Sequence, residues 1–220
     1  MKSIKVKRLL TAILAASMVM ASAVTVSASG SGTSDAGVSS SESSSSESSE
    51  ETTYAQEMSK TAEAPVEVAG VSVKTSVAGV YAAQKVQGVA VTTPVATVKA
   101  SLGLSENQVP AIIIYDTDEN KSYLAMECVN AAAGAIGGTV VASMNIDLGA
   151  KENGKWVNLK DGSVGMVTGL PKGVDMSKEY CAICVQPGGK VTILEDQDSN
   201  PATITFAVQA GLGTYAITAK

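Results

Sequence analysis

The residues that could do redox or metal chemistry begin with the motif Cys181-Ala182-Ile183-Cys184. A redox-active pair needs its first cysteine at the N-terminus of a helix, where the helix dipole lowers the thiol pKa. This motif lies instead in a strand-like pattern, in which residues three apart point to opposite faces of a sheet. A structural zinc site needs four ligands, and the chain has three cysteines and no histidine. The pattern therefore predicts buried structural thiols, with a disulfide that involves Cys128 as the alternative.

An acidic run at residues 116–120 resembles the opening of a calcium-binding loop. Ca²⁺ prefers carboxylate and amide oxygens, which makes Asp116, Asp118 and Asn120 the candidate metal ligands. The sixth position of such a loop requires glycine for a sharp turn, and Lys121 stands there. A turn that caps the following helix explains the same residues, and we favour this interpretation over calcium binding.

Trp156 is the single tryptophan of the chain and the candidate for ligand binding. If Val157 and Leu159 face the core, Trp156 and Asn158 share the opposite face of their strand. An indole beside an amide could stack on a sugar ring and hydrogen-bond to it. The alternative is that the indole packs against another sheet or a helix, because one aromatic residue alone makes a poor platform for a sugar.

Catalytic chemistry finds little support in the sequence. The absence of histidine excludes Ser-His-Asp and Cys-His arrangements. No glycine-rich phosphate loop follows a strand and opens a helix. Two carboxylates could still meet in the folded chain, so a small carboxylate-based hydrolase is the remaining enzymatic alternative. We expect a protein that is not an enzyme and that needs no cofactor.

The first sixty residues predict export. Four basic residues lie between positions 2 and 8, an apolar run follows, and Val26-Ser27-Ala28 offers the small residues of a cleavage site. Residues 1–28 are therefore predicted to be a signal peptide, with a retained membrane anchor as the alternative. Residues 39–51 contain only Ser and Glu, which predicts a disordered linker over residues 29–60. We expect a secreted protein whose attachment to the cell surface, where it occurs, is non-covalent.

The net charge of the mature chain excludes two classes of binding partner. Removal of the four basic residues of the signal from the total of 16 leaves 12 against 21 acidic residues, a formal charge of −9. Such a chain has no basic patch for nucleic acid or for an anionic membrane surface. The partners that remain are a surface glycan or another protein.

Residues 61–220 have the length of one domain, and their first part predicts a small sheet and a helix. The pattern V-x-G-V-x-[VA] recurs every nine residues, which predicts a three-stranded meander over 68–91. A continuous apolar run at Ala111–Tyr115 predicts a strand buried on both faces. A helix is predicted at 121–135, with small apolar residues on its buried face: Leu124, Cys128, Ala131, Ala132 and Ala135.

Residues 139–220 predict a series of short strands separated by turns. Apolar residues alternate with polar ones over 144–148, and Asn153-Gly154 has the chemistry of a type I′ turn. Turn signals then separate five further runs of strand character, at 164–168, 179–186, 190–195, 202–208 and 214–218. The prediction is a mainly β fold, an antiparallel Ig-like β-sandwich with one packed α-helix, and the alternative is an α+β fold.

The C-terminal residues also resemble a known module. The segments that carry the resemblance are Met166–Asp175, Tyr180–Val185, Lys190–Leu194, Ile204–Phe206 and Gly213–Ile217. Together they are similar to the terminal β-sandwich module of secreted or cell-surface proteins of anaerobic Gram-positive bacteria. The resemblance covers residues 139–220. It implies an Ig-like fold and an extracytoplasmic location, and it carries over no catalytic residue.

Overall fold

The computed structural model describes residues 66–220, so the predicted signal peptide (1–28) and linker (29–60) lie outside the described residues. The described part forms twelve strands and two helices. In chain order they are β1 (Val66–Val68), β2 (Val71–Val73), β3 (Ala78–Ala82), β4 (Val89–Val91), α1 (Val95–Ser101), β5 (Gln108–Asp116), α2 (Tyr123–Ala135), β6 (Thr139–Glu152), β7 (Lys155–Asn158), β8 (Ser163–Gly169), β9 (Tyr180–Gln186), β10 (Lys190–Glu195), β11 (Thr203–Gln209) and β12 (Gly211–Ala219).

The strands form a large sheet and a small sheet that pack face to face, which confirms the prediction of a mainly β fold. The pairing is not antiparallel throughout as predicted, because β3 and β5 are parallel. The large sheet has seven strands in the order β10-β9-β12-β6-β5-β3, with β7 paired to β6 beyond the end of β12. The small sheet has the order β11-β8-β4, and β1 and β2 form a separate hairpin. Ile146 and Tyr215 of the large sheet share one buried core with Phe206 of the small sheet. We call this side of the large sheet its inner face.

Helix α2 packs on the opposite side of the large sheet, which we call the outer face. Met126, Val129 and Ala133 are buried against Ile183 and Ala216 of β9 and β12. The helix was predicted correctly, but the face predicted to be buried was wrong in part: Cys128 and Ala132 pack at the edge of this cluster, and the other three residues of that face are exposed. Leu124 is 62% exposed, because an alanine-rich helix offers more than one apolar stripe and the sheet accepts the stripe of larger side chains.

The nine-residue repeats form strands but not the predicted meander. The first copy folds into the β1–β2 hairpin, the second becomes β3 and pairs in parallel with β5, and the third becomes β4 and pairs with β8 of the small sheet. Valine and glycine favour strands and bends without specifying a partner strand. A parallel pair also requires a crossover connection, which here runs through β4 and through helix α1, an element that the sequence analysis did not predict.

The strands predicted after residue 139 are confirmed. Asn153 and Gly154 both have positive φ, 52° and 79°, as the predicted type I′ turn between β6 and β7 requires. The turn predicted at residues 211–213, between the runs 202–208 and 214–218, was placed wrongly, since these residues belong to β12. The chain passes from β11 in the small sheet to β12 in the large sheet through Ala210 alone.

Candidate functional site

A groove of about 570 Å³ opens on the outer face of the large sheet. The first turns of α2 form one wall, through Leu124 and Cys128. The β9–β10 connection forms the other wall, where the Gln186 carbonyl accepts a hydrogen bond from the Gly189 N–H at 3.1 Å and closes a turn around Pro187. The described residues that line the groove are all uncharged.

The floor of the groove is a polar pair on two neighbouring strands. Asn145 of β6 and Thr214 of β12 lie opposite each other in register, and each is only 7% exposed. The Thr214 hydroxyl donates to Asn145 Oδ1 at 2.7 Å. Both residues of the pair line the groove. Tyr115, the partner of Asn145 on β5, stands at the rim and is 38% exposed.

Asp147 lies two residues further along β6, on the same outer face. It is half-buried between Ile113 of β5 and Leu212 of β12, its partners in register. Burial raises the pKa of its carboxyl group above the ordinary value. Within residues 66–220, no donor forms a hydrogen bond with its oxygens.

The predicted pair Trp156 and Asn158 lies on this outer face too, as their alternation with Val157 indicated. The indole Nε1 donates to Asn158 Oδ1 at 2.9 Å. The half-buried ring lies over Gly149 of β6, where any methyl group would collide with it. The pair does not line the groove. Its role in ligand binding stays a prediction.

Two of the three candidate calcium ligands, Asp116 and Asp118, bind backbone N–H groups, and Asn120 contributes its own N–H to one of these bonds. The Asp116 carboxylate accepts hydrogen bonds from the N–H groups of Gln84 and Lys85 at 2.9 and 3.1 Å. The Asp118 carboxylate accepts from the N–H groups of Asn120 and Lys121, and these bonds hold its pKa below the ordinary value. Within residues 66–220, no three acidic, cysteine or histidine side chains are grouped to hold a metal ion. The turn that precedes α2 accounts for this run of residues.

The three cysteines are free, so the alternative of a disulfide with Cys128 is wrong. Cys181 and Cys184 are buried thiols on opposite faces of β9, as the strand pattern predicted. Burial raises the pKa of both thiols. They serve as core residues, whereas Cys128 is only partly buried and lines the groove.

Sequence reasoning missed Tyr115, Asn145, Asp147 and Thr214. The alternation along β6 contained a usable signal, because Met144 and Ile146 face the core and thereby place Asn145 and Asp147 on the other face. The sequence does not show that α2 leaves this part of the face uncovered.

Comparisons of the chain with protein-family models, with curated proteins and with solved structures give no match in any of the three. Neither of the two described helices has the length and apolar character to cross a membrane. The function of the site must therefore be argued from its geometry.

Proposed function

We propose that the protein is a non-enzymatic binding protein, secreted or displayed at the cell surface, whose ligand or partner occupies the groove beside α2. The observation that carries the proposal is the polar floor within an otherwise largely apolar groove. Asn145 and Thr214 are buried, hydrogen-bonded to each other and part of the groove lining. A concave apolar site with a few convergent polar groups is the usual form of a ligand-binding site.

The chemistry of the lining favours binding over catalysis. A nucleophile needs a base within hydrogen-bonding reach, and the described lining contains neither an acidic residue nor histidine. The Thr214 hydroxyl, one candidate nucleophile, donates its proton to an amide oxygen, which is not a base. These groups can orient and retain a ligand by hydrogen bonds and apolar contact.

The proposal includes export and display. The predicted signal peptide and the Ser/Glu linker support secretion and a tethered arrangement. An Ig-like module over residues 139–220 is part of the same proposal. It is supported by the resemblance of that segment to surface proteins and by the strands β6, β8, β9, β10, β11 and β12, which are divided between two packed sheets.

The test is co-sedimentation of the purified chain with intact Gram-positive cells and with isolated cell walls. Leu124→Asp places a charge on the groove wall, and Val71→Asp is the matched control, because both side chains are 62% exposed and Val71 does not line the groove. We expect the wild-type chain and Val71→Asp to sediment with the walls, and Leu124→Asp to lose about tenfold or more in affinity. A wild-type chain that stays in the supernatant would overturn the proposal.

A further inference from the structure

We propose that the groove is one end of a longer binding face, which runs along the outward rows of β5, β6, β7 and β12 to Trp156 and takes an uncharged, extended glycan. This inference rests on the proposed function and adds the chemical class of the ligand.

The face is continuous because its residues occupy consecutive outward positions of paired strands. Along β6 these positions are Asn145, Asp147, Gly149 and Lys151. Their partners in register are Tyr115, Ile113 and Ala111 on one side and Thr214, Leu212, Asn158 and Trp156 on the other. The buried side chains of α2 pack on β9 and β12 at Ile183, Val185 and Ala216, to one side of these rows. Within the rows, the Trp156 ring lies over Gly149.

An aromatic ring stands at each end of the face. Tyr115 pairs with Asn145, and Trp156 pairs with Lys151. The Trp156 ring lies over Gly149, which is four positions along β6 from Asn145, or about 13 Å at roughly 3.3 Å per residue. The C–H faces of pyranose rings pack on aromatic faces by dispersion and burial of apolar surface. Two platforms at this separation suit a ligand of several sugar units.

The middle of the face offers hydrogen-bonding groups of the kind that hydroxyls need. The Asp147 carboxylate can accept from two neighbouring hydroxyl groups, and the Asn145 Nδ2 group can donate to a ring or hydroxyl oxygen. Ile113 and Leu212 lie on either side of Asp147 and provide apolar contact. Alternating apolar and hydroxyl-bearing surfaces are the chemistry of a sugar chain.

The charges on the face match an uncharged ligand. The outward positions of β6 between 145 and 151 carry one acidic residue, Asp147, and one basic residue, Lys151. A polyanionic chain would meet the half-buried carboxylate at the centre of the face and the negative charge of the whole protein. An extended peptide that adds to a sheet would need open backbone groups. Those of β6 are engaged in ladders with β5 on one side and with β12 and β7 on the other.

The test is calorimetric titration of the purified chain with cellohexaose and with chitohexaose, and with the hexamer of galacturonic acid as the charged probe. We expect one of the two neutral hexamers to bind saturably and to change the emission of Trp156, and the acidic hexamer not to bind. Tyr115→Ala and Asp147→Asn should each weaken binding about tenfold. Tyr123→Ala is the matched control, since Tyr123 is an exposed tyrosine of α2 outside the face, and it should bind like wild type.

The outcomes separate this inference from the proposed function. Sedimentation with cell walls but no binding of either neutral hexamer would overturn the inference of a glycan ligand and leave the proposed function standing. Loss of sedimentation after protease treatment of the walls would identify a protein partner and would also overturn the inference of a glycan ligand. Hexamer binding that Leu124→Asp abolishes but Asp147→Asn leaves unchanged would restrict the site to the groove and overturn the extended face.

Discussion

The Tyr215 hydroxyl oxygen accepts a hydrogen bond from the backbone N–H of Gln209 at 3.0 Å. This bond spans the crossing between the two sheets, because Gln209 ends β11 and Tyr215 belongs to β12. The Tyr215 ring also stacks on Phe206 of β11, with the ring centroids 5.8 Å apart. One buried side chain therefore fixes the position of the last strand of the large sheet against the small sheet.

Tyr215→Phe should remove this bond and keep the ring. The Gln209 N–H then loses its partner in a partly buried position, and we expect a loss of about 1–2 kcal/mol in the free energy of unfolding. Urea denaturation measures the change. Tyr180→Phe is the matched control, because its hydroxyl donates to the Asp175 carbonyl at 2.9 Å in an exposed position, and its loss should stay below about 0.5 kcal/mol. Equal losses in the two variants would contradict the role of Tyr215.

The strands of residues 139–220 could be predicted because local chemistry determines them. Alternation over 144–148 identifies the buried side of β6, and Asn153-Gly154 is a turn that few other residues can form. Strand partners in the first part could not be predicted from the same kind of pattern. The repeat copies that become β3 and β4 are alike in sequence, but they enter different sheets, because partner choice depends on contacts distant in the chain.

Part of the candidate site could also be predicted, because alternation along a strand assigns side chains to one face of a sheet. Trp156 and Asn158 could be placed on one face from their spacing alone. Tyr115 was predicted to end a strand that is buried on both faces, but its side chain is partly exposed. The reason is that α2 covers only one part of the sheet. Which residues of a face stay open depends on where a helix lies, and the alanine-rich sequence of α2 does not specify that.

Gly149→Ala should displace the indole of Trp156. A methyl group at Gly149 collides with the ring, so the ring must move toward solvent and its emission should shift to longer wavelength. The hydrogen bond from Nε1 to Asn158 should be lost with it. Gly134→Ala on α2 is the control, because nothing lies within 4 Å of its added methyl group. That variant should leave the emission unchanged and raise stability by up to about 1 kcal/mol.

Asp147→Asn should stabilise the folded chain relative to wild type, and this gain in the free energy of unfolding should be larger at neutral pH than at acid pH. Burial raises the pKa of Asp147 in the folded chain above its unfolded value. The folded state then binds the proton more tightly, so wild-type stability falls as the pH rises from the unfolded to the folded pKa of this group. The amide variant lacks that cost, and its advantage should grow over this interval and then stay constant. Urea midpoints measured below about pH 4 and near pH 7 test this. An advantage that is the same at both pH values would contradict it.

The three thiols should react at two different rates in the folded chain. Cys181 and Cys184 are fully buried, and burial raises the pKa of both, so little thiolate is present and access is poor. Cys128 is partly buried and lines the groove. Labelling with a disulfide reagent near about pH 8 should therefore show one fast thiol and two that react slower by an order of magnitude or more. Denaturant should make all three fast, and Cys128→Ser should remove the fast phase. A ligand that fills the groove should slow the reaction of Cys128. Two fast thiols in the native chain would contradict the prediction and show that β9 opens to solvent.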